Sequence, residues 1–364
     1  MKIVIISPNY NAPTESFINE HFNFLNPHFI IVGGYIPNLN ENGKFLHGKL
    51  VIFSLKFLSF FFRERTGFFH KSCLFLYLLK IKRSKIIALV EYGTTAHHIS
   101  PILSFLKIPF YVHFHGYDAS VFDFANSEYY SNVIASAKGV FVVSKEMESD
   151  LLKIGFKQNQ IVYNPYGPRE IFGNCKPNYE SKVIFALGRF VDKKAPYNVI
   201  ISFYEVLKMV PNAKLIYAGD GPLLLLCKQL VTALGIEDSV VFEGVIDLNR
   251  TISIFNQSQI FVQHSIQAEN GDKEGLPLSI LEAQLAGLPV VSTTHAGIKD
   301  LIKNGVNGYL SPEGDIKSFT QNILTLLNDS QLSKIMGEKG IQEVRKNFNI
   351  NEYLKKIEKV ISQK

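Results

Sequence analysis

At 364 residues the chain exceeds the size at which a single core usually stops growing, so two domains are expected. An apolar fraction of 46% with 19% charged residues excludes a disordered chain. The net charge of +6 is modest, and Cys73, Cys175 and Cys227 lie in no pairing or metal-ligand spacing, which excludes a disulfide scaffold and fits buried thiols in a reducing compartment.

Residues 1–8 hold an apolar run too short for a signal peptide and read as a first strand, which predicts a cytoplasmic protein. In the loop that follows, Thr14 is a suitable N-cap for a helix through residues 19–25. Short apolar runs then alternate with helical patterns, the signature of βαβ units and parallel sheets. The first half predicts strands at 2–7, 28–33, 86–90, 110–115, 140–144 and 161–163. Most are nearly continuous apolar runs, as expected where helices cover both faces.

Charge is uneven within this half. Residues 44–90 carry ten Lys or Arg and one acid, Glu64, interleaved with Phe57, Phe60, Phe61, Phe62, Phe68, Phe69 and Phe75. Such a stretch suits an anionic membrane surface, although two helices packing their Phe side chains inward would look the same. The apolar run 51–62 is too short, and too interrupted by Lys56, to span a bilayer. No recognisable nucleic-acid motif accompanies the basic residues, so nucleic acid is not an expected partner.

The strand at 110–115 ends in His115-Gly116, which offers a histidine at a strand end as donor or general base. His113 shares its face but lies deeper and reads as a core histidine. Thr94, His97, His98, Ser144 and Lys145 follow other strand ends and are expected to line a cleft. The histidines lack a helical i, i+4 arrangement with a carboxylate, and no Asp-x-Asp stands out, so no metal is expected.

Residues 164–178 are rich in breakers and without periodicity, which marks a linker. Beyond it, strands are predicted at 182–187, 214–218, 240–243, 260–263, 289–292 and 308–310. The last residues have apolar positions at Tyr353, Leu354, Ile357, Val360 and Ile361, the spacing of a closing amphipathic helix. The expected domains are 1–170 and 180–346, with residues 347–364 forming that helix.

The richest segment runs from Gln263 to Ser292 and reads as a strand, a loop, a helix opened by Pro277, and a second strand. Proline near a first helical position leaves the remaining free amides pointing outward as an anion site. Gly275 permits close approach of a ligand, and Leu276 and Leu278 flank the proline. Glu274 in the loop and Glu282 in the helix can grip two ends of one ligand, since a carboxylate is a strong acceptor for paired sugar hydroxyls. A carboxylate between Leu281 and Ala283 needs a partner.

A second cluster, Gly188-Arg189-Phe190-Val191-Asp192-Lys193-Lys194, follows the strand at 182–187 and offers cations for a diphosphate. Gly219 and Gly244-Val245 close the next two strands, as ordinary turn chemistry would place them.

The Glu-x7-Glu run Glu274-Gly275-Leu276-Pro277-Leu278-Ser279-Ile280-Leu281-Glu282 resembles the signature of family 4 retaining glycosyltransferases, particularly the bacterial enzymes of polysaccharide biosynthesis. The likeness covers nearly the whole chain and is strongest over residues 188–310. It implies an α/β GT-B fold of two facing Rossmann-like domains, and transfer of a hexose-type sugar from a nucleoside diphosphate to a hydroxyl of a glycan or lipid-linked glycan. It assigns Glu274, His115, Arg189 and Lys194 to the reaction. Donor binding falls to Glu282, Gly275, Leu276, Pro277, Leu278, Gly188, Gly219, Gly244 and Val245. The family has Lys five residues after the Arg, which selects Lys194 over Lys193, while Ala195 replaces a common Gly. The nucleotide sugar is a co-substrate, with no cofactor or metal, and the chain is expected in the cytoplasm or peripherally on the inner membrane face. Rival expectations are a sugar phosphorylase, a sugar-nucleotide epimerase and a non-catalytic binding module.

Overall fold

The computed structural model describes residues 1–12, 15–61 and 67–363. Thr14, expected as an N-cap, and Phe62 and Glu64 of the basic stretch lie outside the described residues. The chain divides into two compact units, Met1–Asn164 with Leu354–Lys364, and Pro165–Tyr353.

The first unit holds β1 (Lys2–Ile6), β2 (Phe29–Ile31), β3 (Ile86–Glu91), β4 (Phe110–His113), β5 (Gly139–Val142) and β6 (Ile161–Tyr163). They form one parallel sheet in the order β2-β1-β3-β4-β5-β6. The second unit holds β7 (Val183–Leu187), β8 (Lys214–Ala218), β9 (Val240–Gly244), β10 (Ile260–Gln263), β11 (Val290–Thr293) and β12 (Gly308–Ser311). Its parallel sheet runs β9-β8-β7-β10-β11-β12, the doubly wound Rossmann order. All twelve strands fall where continuous apolar runs predict them.

Burial explains why the runs are so apolar. Every residue of β3, β4, β5, β10 and β11 is buried, with Val90, Val112, Val140, Val262 and Val290 fully so. In the second unit Ile184, Val262 and Val291 pack against Val199, Phe203, Phe319 and Ile323 of the covering helices. Phe185, Phe255 and Phe261 meet edge-on, with ring centroids 5.5–6.4 Å apart. Each edge-on pair adds about 0.5–1.5 kcal/mol to simple burial.

Side-chain caps start several helices at their sequence-encoded positions. Asp247 accepts from Arg250 N–H at 2.8 Å to open Leu248–Gln257, and Ser144 accepts from Met147 N–H at 3.2 Å to open Lys145–Lys153. Each such cap is worth about 1 kcal/mol. The closing helix Ile350–Ser362 belongs in part to the first unit, where Lys356 donates to the Tyr163 carbonyl at 2.8 Å. Cys73 and Cys227 are buried free thiols, whereas Cys175 is only half-buried. Among the described residues no helix is long and apolar enough to cross a membrane.

Candidate active site

The order of the second sheet reverses between β7 and β10, and open α/β sheets bind ligands at such switch points, beyond the carboxyl ends of the strands. The loops leaving these two strands carry Gly188–Lys194 and His264–Glu274 respectively. The two richest sequence clusters therefore converge through topology alone.

Their contact is an ion pair. Lys194 Nζ lies 3.1 Å from Glu274 Oε1, with the lysine side chain 12% and the carboxylate 8% exposed. Glu274 Oε1 finds no partner of good hydrogen-bond angle, so the contact is one of charge. Burial pulls the Lys194 ammonium below the usual lysine range and Glu274 opposes that pull, while Lys193 and Arg189 add to it. Burial would raise the Glu274 carboxyl, but the charges of Lys194 and Lys193 hold it below the usual carboxylate range. Arg189 itself is exposed, within electrostatic reach of Lys194.

The adjacent lysines do different work. Lys193 is buried, and its Nζ donates to Asp272 Oδ1 at 2.9 Å and to the Lys273 carbonyl at 3.1 Å. It ties the loop in place, which leaves Lys194 to face Glu274. Ala195 keeps a left-handed backbone with φ +34°. That conformation costs an L-residue about 1–2 kcal/mol, so the loop carries strain there.

The loops after β7 and β8 touch backbone to backbone. Gly188 N–H donates to the Ala218 carbonyl at 3.0 Å. A Cβ on Gly219, whose φ is +134°, would fall 1.9 Å from the Gly188 carbonyl oxygen. Gly219 is thus required by its neighbour as well as suited to an approaching ligand. Gly219 N–H donates to the Gly244 carbonyl at 2.7 Å, which occupies one of that carbonyl's lone pairs. Val245 is 72% exposed beyond it.

The helix after Glu274 begins at Leu278, one position later than a helix opened by Pro277, and Pro277 is its N-cap. Its first internal bond runs from Ile280 N–H to the Pro277 carbonyl. Gly275, Leu276 and Pro277 are buried and Leu278 is half-buried. Ser279 Oγ donates to Gln263 Oε1 at 2.8 Å, and Ser292 Oγ to the Gln263 carbonyl at 2.6 Å, so hydroxyls lock this helix to the ends of β10 and β11.

Glu282 sits on the helix Leu278–Leu285, its side chain 11% exposed. Burial lifts its carboxyl to about 7, against the opposing charge of Arg169. The required partner is Arg169, whose Nη2 lies 3.6 Å from Glu282 Oε1 and whose buried Nε has no partner. Arg169 stacks over Phe172 at 5.3 Å. Sequence reading missed it, because a linker arginine more than a hundred positions away gives no periodic signal.

In the first unit the His115 imidazole is turned inward rather than projecting from the strand end. Its ring is 3% exposed, and Nε2 is 2.9 Å from Glu91 Oε2. Glu91 Oε1 is 2.7 Å from His21 Nδ1, so one fully buried carboxylate serves two histidines. Burial would raise Glu91, but His21 and His115 hold it well below the usual carboxylate range. Asp118 cross-links this corner, accepting from the amides of His115 and Gly116 at 3.0 Å and of Gly93 at 2.8 Å.

Glu91, His113 and His115 bring ligand atoms within 4.8 Å of one another, a grouping the sequence analysis did not expect. Both oxygens of Glu91 already pair with imidazoles. The His113 and His115 rings stack at 10°, which sets their lone pairs in parallel planes instead of converging on one ion. His113 is a core histidine as expected, held neutral by burial well below the usual range. Thr94 bonds Tyr117 Oη at 2.9 Å, and His97 stacks on Tyr129 at 3.7 Å. These two and the Ser144 cap therefore have structural duties.

Known proteins resemble the chain in sequence and in fold. Residues 168–343 match the sequence family described as "Glycosyl transferases group 1". The chain is 30% identical over 215 residues to N-acetyl-alpha-D-glucosaminyl L-malate synthase of Bacillus anthracis, covering 57% of this chain and 52% of that protein. It is 24% identical over 247 residues to the putative colanic acid biosynthesis glycosyltransferase WcaL of Escherichia coli K12, covering 65% and 60%. The aligned part thus spans only about half the length of such curated relatives. The crystal structure of Anabaena Alr3699/HepE in complex with UDP and glucose matches over 100% of both chains with a TM-score of 0.78 at 16% identity, so the GT-B fold is shared.

Proposed function

Because the chain carries a Glycosyl transferases group 1 domain over residues 168–343, we propose that it moves a hexose-type sugar from a nucleoside diphosphate to a hydroxyl of a glycan or lipid-linked glycan, with retained anomeric configuration, in cell-surface polysaccharide biosynthesis. The Lys194–Glu274 pair at the sheet's switch point carries the reading. The carboxylate opposes the pull of burial on the Lys194 ammonium. When a donor binds, the ammonium and the exposed Arg189 face a diphosphate whose negative charge grows as the bond to the sugar breaks. Stabilising that charge in a water-poor site is the largest single lever on such a barrier.

Glu274 then takes hydroxyls of the transferred sugar and Glu282 those of the ribose. The acceptor attacks on the face the diphosphate leaves, and a donor phosphate oxygen takes its proton. No protein carboxylate becomes bonded to the sugar in this scheme. Following the product's anomeric carbon by NMR tests the reading: the configuration of the donor is expected at the new bond, and an inverted product contradicts it.

The basic stretch supports a site of work at an anionic membrane face. On the helix Lys49–Phe61, Ile52 and Leu55 are buried against Cys73 and Phe69. The opposite arc leaves Leu50 86%, Phe53 72%, Phe57 57% and Leu58 48% exposed at i, i+3, i+7 and i+8. Lys49 and Lys56 border that arc, and Lys44, Lys71 and Lys80 are exposed nearby. Apolar side chains among cations fit the headgroup boundary of anionic lipid. Sedimentation with vesicles rich in anionic lipid should capture the protein at low salt, and Phe53→Ser or Phe57→Ser should lower partitioning about tenfold each. Equal recovery with neutral vesicles contradicts the assignment.

A further inference from the structure

Resting on the reading in which Glu274 meets the donor sugar, we propose that His295 and Glu313 are positioning residues for Glu274, and that one carboxylate thereby fixes both ends of the loop that carries it. The chain of bonds is short. Glu274 N–H donates to His295 Nε2 at 3.1 Å. A ring nitrogen that accepts carries no proton, so the proton of neutral His295 resides on Nδ1. From there it is donated to Glu313 Oε1 at 2.6 Å. The other oxygen, Glu313 Oε2, accepts from Gln267 N–H at 2.9 Å.

Gln267 and Glu274 bracket the loop between β10 and the following helix. The middle of that loop is held by Lys193 through Asp272 and the Lys273 carbonyl, while the Lys193 carbonyl accepts from Ile266 N–H at 2.9 Å. His295 follows β11 and Glu313 follows β12, so the outer strands of the sheet brace a loop that leaves its centre. His295 is 1% exposed, and Ala296 beside it adopts φ +39°, an L-residue in the left-handed region where strain is kept only if the surroundings enforce it.

Two features separate this arrangement from ordinary packing. The acceptor at Nδ1 is a carboxylate, which has no proton to give, so it imposes the one tautomer that can accept from Glu274. The bond reaches the main chain of the very residue whose side chain pairs with Lys194, so a shift there displaces the carboxylate directly. Misplacement by about 1 Å in a reacting site costs on the order of a hundredfold in rate.

The test is a set of variants in the intact chain, assayed for kcat, for KM toward the sugar nucleotide and for melting temperature. His295→Gln puts an amide oxygen near the place of Nε2 and keeps a partner for Glu274 N–H. His295→Asn puts its amide near Nδ1 and keeps only Glu313. Glu313→Gln lies on a partly exposed side chain and admits the wrong tautomer. The expected result is kcat within about threefold of the parent for His295→Gln, and at least about tenfold lower for His295→Asn and Glu313→Gln, with KM little changed. Parental kcat in His295→Asn overturns the proposal, as does an equal fall in His295→Gln and His295→Asn that tracks melting temperature. Glu274→Ala in the same assay separates the two claims. If it abolishes turnover while His295→Asn does not, only the positioning role fails; if Glu274→Ala is fully active, the reading of the site fails first.

Discussion

Replacing Glu274 by alanine is expected to lower turnover by about 10²- to 10³-fold while changing donor affinity by less than about tenfold. The asymmetry follows from what the carboxylate does for its neighbour. Burial already pulls the Lys194 ammonium down, Lys193 and Arg189 push the same way, and Glu274 opposes them. Without it the Lys194 ammonium is pulled down further, so one substitution removes a sugar contact and weakens the cation that meets the leaving diphosphate. Lys194→Met should therefore cost a similar factor, and the double variant should be no worse than either single one. Breaking a buried pair also costs stability, on the order of 3–5 kcal/mol, so Glu274→Gln, which keeps the shape, is the control for folding. Strictly additive losses in turnover would show that the two side chains act apart.

The second large effect concerns Glu282, which should govern donor affinity and make it depend on pH. Burial holds this carboxyl at about 7. Ribose hydroxyls donate to the ionised form and favour it, so a bound donor lowers that value. The bound state then holds fewer protons than the free one, and affinity rises with pH up to about 7 and levels off above it. Below that point binding releases a proton. Two hydrogen bonds to a charged group are worth about 1.5–3 kcal/mol each before desolvation is counted, so Glu282→Ala should weaken binding about 100-fold and flatten the pH dependence. Arg169, left without its partner, should still meet solvent, since its side chain is 38% exposed.

Much of this was legible before any coordinates. Strands buried on both faces are apolar at nearly every position, so most of the twelve stood out as nearly continuous runs. The glutamates were legible because Glu282 lies in an apolar helix, where a charge demands explanation, and Lys194 because its spacing from Arg189 matched a known pattern. Partnerships were harder. His295 and Glu313 stand eighteen positions apart on successive loops, and Arg169 and Glu282 more than a hundred, so only the folded chain brings them together. Lys193 and Lys194 could not be told apart by composition; a tight turn over Asp192–Lys194 sends one to Asp272 and the other to Glu274. His115 departs furthest from its sequence reading, because Glu91, an unremarked residue at the end of β3, draws its ring inward.

Calorimetric titration of the intact chain with a panel of nucleoside-diphosphate hexoses, at pH 6 and pH 8 and in buffers of different ionisation heat, tests the donor site most directly. The account predicts saturable binding of at least one member, tighter at pH 8, with a proton released at pH 6 and about 100-fold weaker binding in Glu282→Ala. Binding of equal strength at both pH values and in that variant would contradict it.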